Sequence, residues 1–200
     1  TTSLRALIVE SLNDPFSLKT FTETTIVNGR GSTFSFDAAS RTFTQTSPTG
    51  RRKSSIIDGK GRPIQTQFAG LDPINYEYDL RGRVKVITQG AGIDSRKTSF
   101  TYNSLGFLET ITDPLSRVTR FNYDTAGRVV EQITPDNRSI ASTYDAKGNP
   151  TSVTPPGRPA HIFSYTPVDL TSIYTPPDIG PGSEATINTF NADRQLTRVA

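Results

Sequence analysis

One short block of residues recurs through the chain: Tyr78-Asp79-Leu80-Arg81-Gly82-Arg83-Val84, Tyr123-Asp124-Thr125-Ala126-Gly127-Arg128-Val129 and Tyr144-Asp145-Ala146-Lys147-Gly148-Asn149-Pro150. Weaker copies begin at Phe36, Ile57, Tyr102, Tyr165 and Phe190, so that the eight starts lie 21, 21, 24, 21, 21, 21 and 25 residues apart. A period of this length restricts the chain to a tandem array, in which each unit buries its apolar surface against its neighbours. A second mark runs in phase with the first. Proline falls twelve residues after the leading aromatic at Pro48, Pro114, Pro135, Pro156 and Pro177.

The runs between these marks alternate. Phe34 with Phe36, Tyr76 with Tyr78, Phe100 with Tyr102, Phe121 with Tyr123 and Phe163 with Tyr165 stand at i and i+2. That spacing shares one face of a strand and splits across a helix. Each repeat therefore reads as one β-hairpin, and successive hairpins as one antiparallel meander. Within the block, Gly82, Gly127 and Gly148 sit where a tight turn calls for positive φ. Asp79, Asp124 and Asp145 are placed to accept N–H groups of the loop, while Arg83 and Arg128 follow the glycine and can reach an aspartate. Ser40, Asp169 and Arg194 occupy the glycine position and Thr166 the aspartate position, so the turn is expected to change there, most of all in the last two copies. The Gly180-Pro181-Gly182-Ser183 stretch reads as a flexible insert that accounts for the 25-residue interval.

Composition agrees with a thin core. A compact chain of 200 residues buries about 70% of its unfolded surface, yet the apolar share here, counted with glycine and without tyrosine, is about 37%, below the ~45–50% usual for globular domains. Threonine, a strand residue suited to a half-exposed pleat, fills much of the gap. An extended antiparallel sheet of many strands curls, so the expected fold is all-β: tandem antiparallel β-hairpins of about 21 residues forming a curved, spiralling single sheet. Aromatic pairs would line one face, with Thr, Ser and charged residues on the other.

Few features invite chemistry. Cys is absent, which excludes disulfides and thiolate ligands. His161 is the only histidine, and its place beside Pro159-Ala160 suggests packing or a turn hydrogen bond instead of a metal or a nucleophile pair. No metal and no cofactor is expected, and five similarly placed aspartates fit a turn requirement better than catalysis. The chain is read as no enzyme. Its formal net charge of +3 and the single basic cluster of Arg51, Arg52, Lys53, Lys60 and Arg62, read as a solvated loop, argue against a nucleic-acid partner. No apolar run approaches the ~20 residues of a membrane span, and no signal segment is present in this chain.

Tyr-Asp-x-x-Gly-Arg at this spacing resembles the YD repeat of the Rhs family, which includes the shell subunits of insecticidal toxin complexes, wall-associated bacterial proteins and the animal teneurins. The stretch Pro155-Pro156-Gly157-Arg158-Pro159-Ala160-His161 and Tyr165-Thr166-Pro167-Val168-Asp169-Leu170 resembles the bacterial members in particular. The resemblance implies a spiralling sheet that closes, in long members, around a C-terminal effector in a secreted or cell-surface protein. The family's self-cleavage motif is not matched, because Asp72-Pro73-Ile74 and Asp113-Pro114-Leu115 lack the glycine that follows. On this reading residues 1–35 form a degenerate lead-in hairpin turned at Asn28-Gly29, and residues 36–200 are the YD-repeat array of a larger shell. The partners implied are other repeats or domains of the same parent and an enclosed effector. A rival reading makes the tyrosines, above all Tyr102, Tyr123 and Tyr144 with Tyr76, Tyr78, Tyr165 and Tyr174, stacking platforms for a glycan on an adhesive surface. Their strict period favours packing between hairpins.

Overall fold

The computed structural model describes residues 1–11, 17–178, 180 and 183–200. Pro181 and Gly182 of the glycine-proline insert lie outside the described residues. The chain divides into two units, Thr1–Ser99 and Phe100–Ala200.

The first unit is a run of strands, β1 (Thr2–Val9), β2 (Leu18–Val27), β3 (Arg30–Asp37), β4 (Thr42–Thr46), β5 (Arg52–Ile57), β6 (Pro63–Phe68), β7 (Ile74–Tyr78), β8 (Val84–Gln89) and the opening of β9 (Arg96–Tyr102). Each pairs antiparallel with the next. The second unit takes the last residues of β9 and continues through β10 (Leu108–Thr112), β11 (Val118–Tyr123), β12 (Val129–Ile133), β13 (Ser139–Tyr144), β14 (Pro150–Thr154), β15 (His161–Tyr165), β16 (Thr171–Thr175), β17 (Thr186–Phe190) and β18 (Leu196–Val199). Here too, from β10 on, every strand is antiparallel to its successor. The only helical turn among the described residues is Gly92–Asp94, inside the 24-residue interval.

All eight block starts fall at the end of a strand, and the block that follows turns the chain into its partner: β3–β4, β5–β6 and so on to β17–β18. The two-residue link Asn28-Gly29 joins β2 to β3 with φ of 51° and 74°, the pair of left-handed residues that a hairpin turn of matching twist needs. The division drawn at residues 35 and 36 therefore runs through β3.

Register explains the composition. Phe21 pairs with Phe36 and Phe36 with Phe43, so the rings of β2, β3 and β4 meet on one face, Phe36 and Phe43 with centroids 4.5 Å apart. The intervening residues form rows on the other face, Thr22–Ser35–Thr44–Ser54 and Thr24–Thr33–Thr46. Neither face is enclosed. Among the described residues only Val86, 5% exposed, and Thr66, 8% exposed, are buried. The surface of 13920 Å² exceeds the roughly 11,000 Å² that two compact bodies of half the mass would expose. Burial therefore comes from hairpins lying side by side, and the rule for a compact chain does not apply.

Candidate functional site

The recurring side chains build one turn, repeated. In the hairpin β7–β8, Asp79 N–H donates to Arg83 O at 2.9 Å and Gly82 N–H to Asp79 O at 2.9 Å. This leaves a three-residue loop whose last member is left-handed, Gly82 at φ +83°, with a bulge where β8 resumes. The Asp79 carboxylate fills the loop: Oδ1 accepts the N–H of Arg81 and of Arg83, both at 2.9 Å, and Oδ2 accepts Arg83 Nε at 2.7 Å. Asp58 does the same for Lys60 and Arg62, and Asp124 for Ala126 and Arg128. In the block at Tyr144 the side-chain amide of Asn149 replaces the guanidinium, donating to Asp145 Oδ2 at 3.0 Å. Arginine thus pairs with the aspartate of its own hairpin.

Two of the three departing copies keep the turn. Thr166 N–H donates to Leu170 O and Asp169 N–H to Thr166 O, with Thr166 Oγ1 accepting Leu170 N–H at 3.1 Å. Asn191 holds Gln195 in the same way, and Asp169 and Arg194 take the left-handed place at φ +64° and +63°. The expectation of disruption in these last two copies is corrected, because a single left-handed residue without glycine costs only about 1–2 kcal/mol. The Ser40 copy does change: β3 and β4 close on Asp37 and Thr42, the positive φ moves to Arg41 at 52°, and Asp37 bonds Ala39 N–H and Ser40 Oγ instead of the arginine.

Sequence reading treated the proline marks as separate turns, whereas several repeat the same loop. Asp113 accepts Leu115 N–H, Arg117 N–H and Arg117 Nε, with Ser116 left-handed at φ +61°. Thr134–Arg138 closes through the same two backbone bonds, with Asn137 at φ +60°. The available signal was the arginine four residues after the turn begins, at Arg51, Arg117 and Arg138.

A second missed feature links successive hairpins. Tyr78 OH donates to Pro63 O at 2.7 Å, Tyr123 OH to Leu108 O at 2.7 Å, Tyr144 OH to Val129 O at 2.9 Å and Tyr165 OH to Pro150 O at 2.8 Å. Every acceptor lies six residues after the start of the preceding block and every donor fifteen residues beyond its acceptor. Where the last block begins with Phe190, Asn188 Nδ2 supplies the bond instead, reaching Thr171 O at 3.1 Å. The rings are covered as well. The Arg62 guanidinium lies 4.3 Å from the Tyr78 centroid and that of Arg128 4.8 Å from Tyr144, while Phe107 stacks on Tyr123 at 5.1 Å. Arg128 Nη1 also donates to Asp145 O at 2.9 Å, so one side chain ties its own turn, the next ring and the next turn.

These bonds set the carboxylates' titration. The Arg62 N–H, followed by its guanidinium, holds Asp58 down at about 2. The N–H of the following arginine is likewise the main cause that lowers Asp79, Asp113 and Asp124, and the Asn149 side chain the main cause for Asp145. Carboxyls at about 3.9 when unfolded and lower when folded stabilise the fold above that value and lose the contribution as pH falls toward the folded one. The thermal midpoint is expected to be level above about pH 5 and to fall between about pH 4 and pH 2. A midpoint that stays level down to pH 2 would show that these carboxylates do not hold the turns.

The remaining candidates are quiet. His161 Nδ1 shares a hydrogen bond of 2.7 Å with Tyr174 OH. Among the described residues no group of three His, Cys, Asp or Glu could hold a metal, and no helix is long and apolar enough to cross a membrane. Of the tyrosines weighed for glycan binding, Tyr102 is half-buried, and Tyr123 and Tyr144 have a covered ring face and an engaged hydroxyl.

Strand pairing and recurring turns define an all-β tandem-hairpin repeat protein in which recurring tyrosines, and Asn188 in the last block, bond a hairpin to the one before within each unit. The sequence model of the Teneurin YD-shell family matches residues 7–200, and the chain belongs to that family. No curated protein sequence matches. Among solved structures, TcdB2-TccC3-Cdc42 aligns with a TM-score of 0.64 at 13% identity over 92% of this chain and 10% of that one. TcdB2-TccC3-TEV aligns at 0.60 and 15% identity over 90% and 10%, and a Photorhabdus luminescens Tc holotoxin pore at 0.59 and 13% over 98% and 14%. At such identities the likeness is one of fold, and this chain spans between a tenth and a seventh of their lengths.

Proposed function

We propose that this chain is a wall segment of a YD-repeat β-shell that encloses or displays an effector in a secreted or surface-exposed bacterial protein. The observation that carries it is the expenditure of the signature side chains: aspartate, arginine and tyrosine are engaged within and between hairpins, so the repeat works to build a sheet. Membership of a shell family and the fold shared with toxin-complex proteins support the same reading. Residues 36–200 act as the array and residues 1–35 as its lead-in, with further repeats of the parent as the immediate partners and no catalytic step in this segment. The glycan alternative has less support, since it needs the ring faces and hydroxyls that the ladder occupies at Tyr123 and Tyr144.

Limited proteolysis of the parent polypeptide tests the proposal. The enclosed segment is expected to survive protease while the wall is intact, and to be degraded once Tyr123, Tyr144 and Tyr165 are all replaced by alanine. Degradation at the rate of the free segment with the wall intact would overturn enclosure.

A further inference from the structure

We propose that a cleft on the aromatic face of the first unit is a binding site for a small aromatic carboxylate, its ring laid against Phe34 and Phe43 and its carboxylate on Lys53 and Gln45. Register builds the cleft. Two neighbouring rows cross β3, β4, β5 and β6 on one face, Phe34–Gln45–Lys53–Phe68 and Phe36–Phe43–Ser55–Thr66. In the second row the large rings stop at β4 and give way to Ser55 and Thr66, which leaves a hollow beside Phe43. Phe34, Phe43, Gln45, Lys53 and Ser55 line a space of about 180 Å³ there. Drug-sized ligands occupy roughly 300–1,000 Å³, so this one suits a ligand of one or two rings.

Both halves of such a ligand find a partner. Phe34 and Phe43 stack with centroids 5.7 Å apart and planes at 25°, and Phe21 meets Phe34 edge-on at 6.1 Å, so the wall is set before a ligand arrives. Phe34 is still 39% exposed, which leaves ring surface for offset stacking. Lys53 stands across from it with Nζ 5.4 Å from the Phe68 centroid, and it makes no ion pair among the described residues. Glu23, which extends the first row onto β2 beside Phe34, is spent on Arg5 and Ser3. The cleft therefore holds one uncompensated positive charge next to an apolar wall, the complement of an aromatic ring that carries an anion. Between the two in register, the exposed Gln45 carboxamide offers a donor to the second carboxylate oxygen. A neutral sugar would fare worse, because the Ser55 hydroxyl is already shared with Thr66 Oγ1 at 3.4 Å and few other hydrogen-bonding groups line the space. A cationic ligand would be repelled by Lys53.

Naphthoate is a suitable probe, since the chain has no tryptophan to compete with its fluorescence. Titrated into the full chain, it is expected to bind saturably with a Kd on the order of 1 mM, as its size allows, and to shift amide resonances of β3–β6 most. Lys53→Gln, an exposed change, should weaken binding about tenfold through loss of a charge-assisted hydrogen bond. Phe34→Leu keeps an apolar side chain for the fold and should weaken it about threefold through loss of stacking. Naphthylmethanol, which has the rings without the charge, should bind the original chain and Lys53→Gln alike. Arg81→Gln removes an exposed cation outside the cleft and should leave naphthoate binding unchanged. Unaltered thermal midpoints would establish that Lys53→Gln and Phe34→Leu act on the ligand and not on the fold. No saturable binding to the original chain, equal affinity with Lys53→Gln, or shifts centred outside β3–β6 would overturn the site. An equal loss in Arg81→Gln would also overturn it, since the probe would then be answering to net charge. None of these results bears on whether a parent protein shields a segment from protease.

Discussion

Gly127→Ala should be the most damaging single-methyl change among the block glycines, costing about 3–4 kcal/mol. A Cβ at Gly127 would sit 2.5 Å from Phe107 Cζ and 2.9 Å from Cε1. The backbone there is at φ +79°, which alone costs about 1 kcal/mol with a side chain. Relief requires the Phe107 ring to leave its stack on Tyr123, forfeiting about 0.5–1.5 kcal/mol of aromatic interaction, and overpacking adds about 1–3 kcal/mol. Gly61 is the control, because its φ is +78° but nothing lies within 4 Å of the added methyl. Gly61→Ala should cost about 1 kcal/mol. Thr125→Val, in the exposed part of the same loop as Gly127, should change less than Gly127→Val. Urea midpoints for these four variants decide the matter: equal losses at Gly61 and Gly127 would mean that the close approach of Phe107 has no energetic weight.

Tyr144→Ala ranks second. The ring lies under the Arg128 guanidinium and its hydroxyl is bonded to Val129 O, so truncation removes both contacts that this side chain makes with the β11–β12 hairpin and leaves the Arg128–Asp145 bond in place. A fully buried aromatic truncated to alanine costs about 3–5 kcal/mol. Tyr144 is half-buried, and about 2–3 kcal/mol is the expectation on that scale. Tyr144→Phe retains the ring and should lose about 1 kcal/mol, the net worth of the hydrogen bond. The loss should also be local, because stability in a repeat array is a sum of intrinsic and nearest-neighbour terms. Amide exchange at the β12–β13 junction should accelerate while β2–β3 is unaffected. If Tyr144→Phe matches the original protein while Tyr144→Ala falls by the full amount, the ring alone carries the ladder. If exchange rises equally everywhere, the nearest-neighbour description fails.

Much of the architecture was legible because a repeat states its own rules several times. The 21-residue period, the i and i+2 aromatics and the Asn28-Gly29 pair each express a local constraint: turn geometry, pleat alternation, or the sign of φ. Such constraints act within a few residues. For the same reason the aspartate's role was readable, since its partners stand two and four residues away. Where a substitution interrupted the pattern, local reasoning was a poorer guide. The turns at Asp169 and Arg194 were expected to change, yet the closing backbone bonds and the neighbouring strands hold those residues left-handed, while Ser40 shifts its turn by one place.

Sequence alone determined the all-β class, the hairpin as the repeating unit and the place of most turns, because these follow from forces that act along the chain. Tertiary structure decided what each tyrosine is for. Nothing in Tyr123 announces that its hydroxyl meets the carbonyl of Leu108, or in Gly127 that Phe107 lies against it, because those distances exist only once two hairpins have been set side by side.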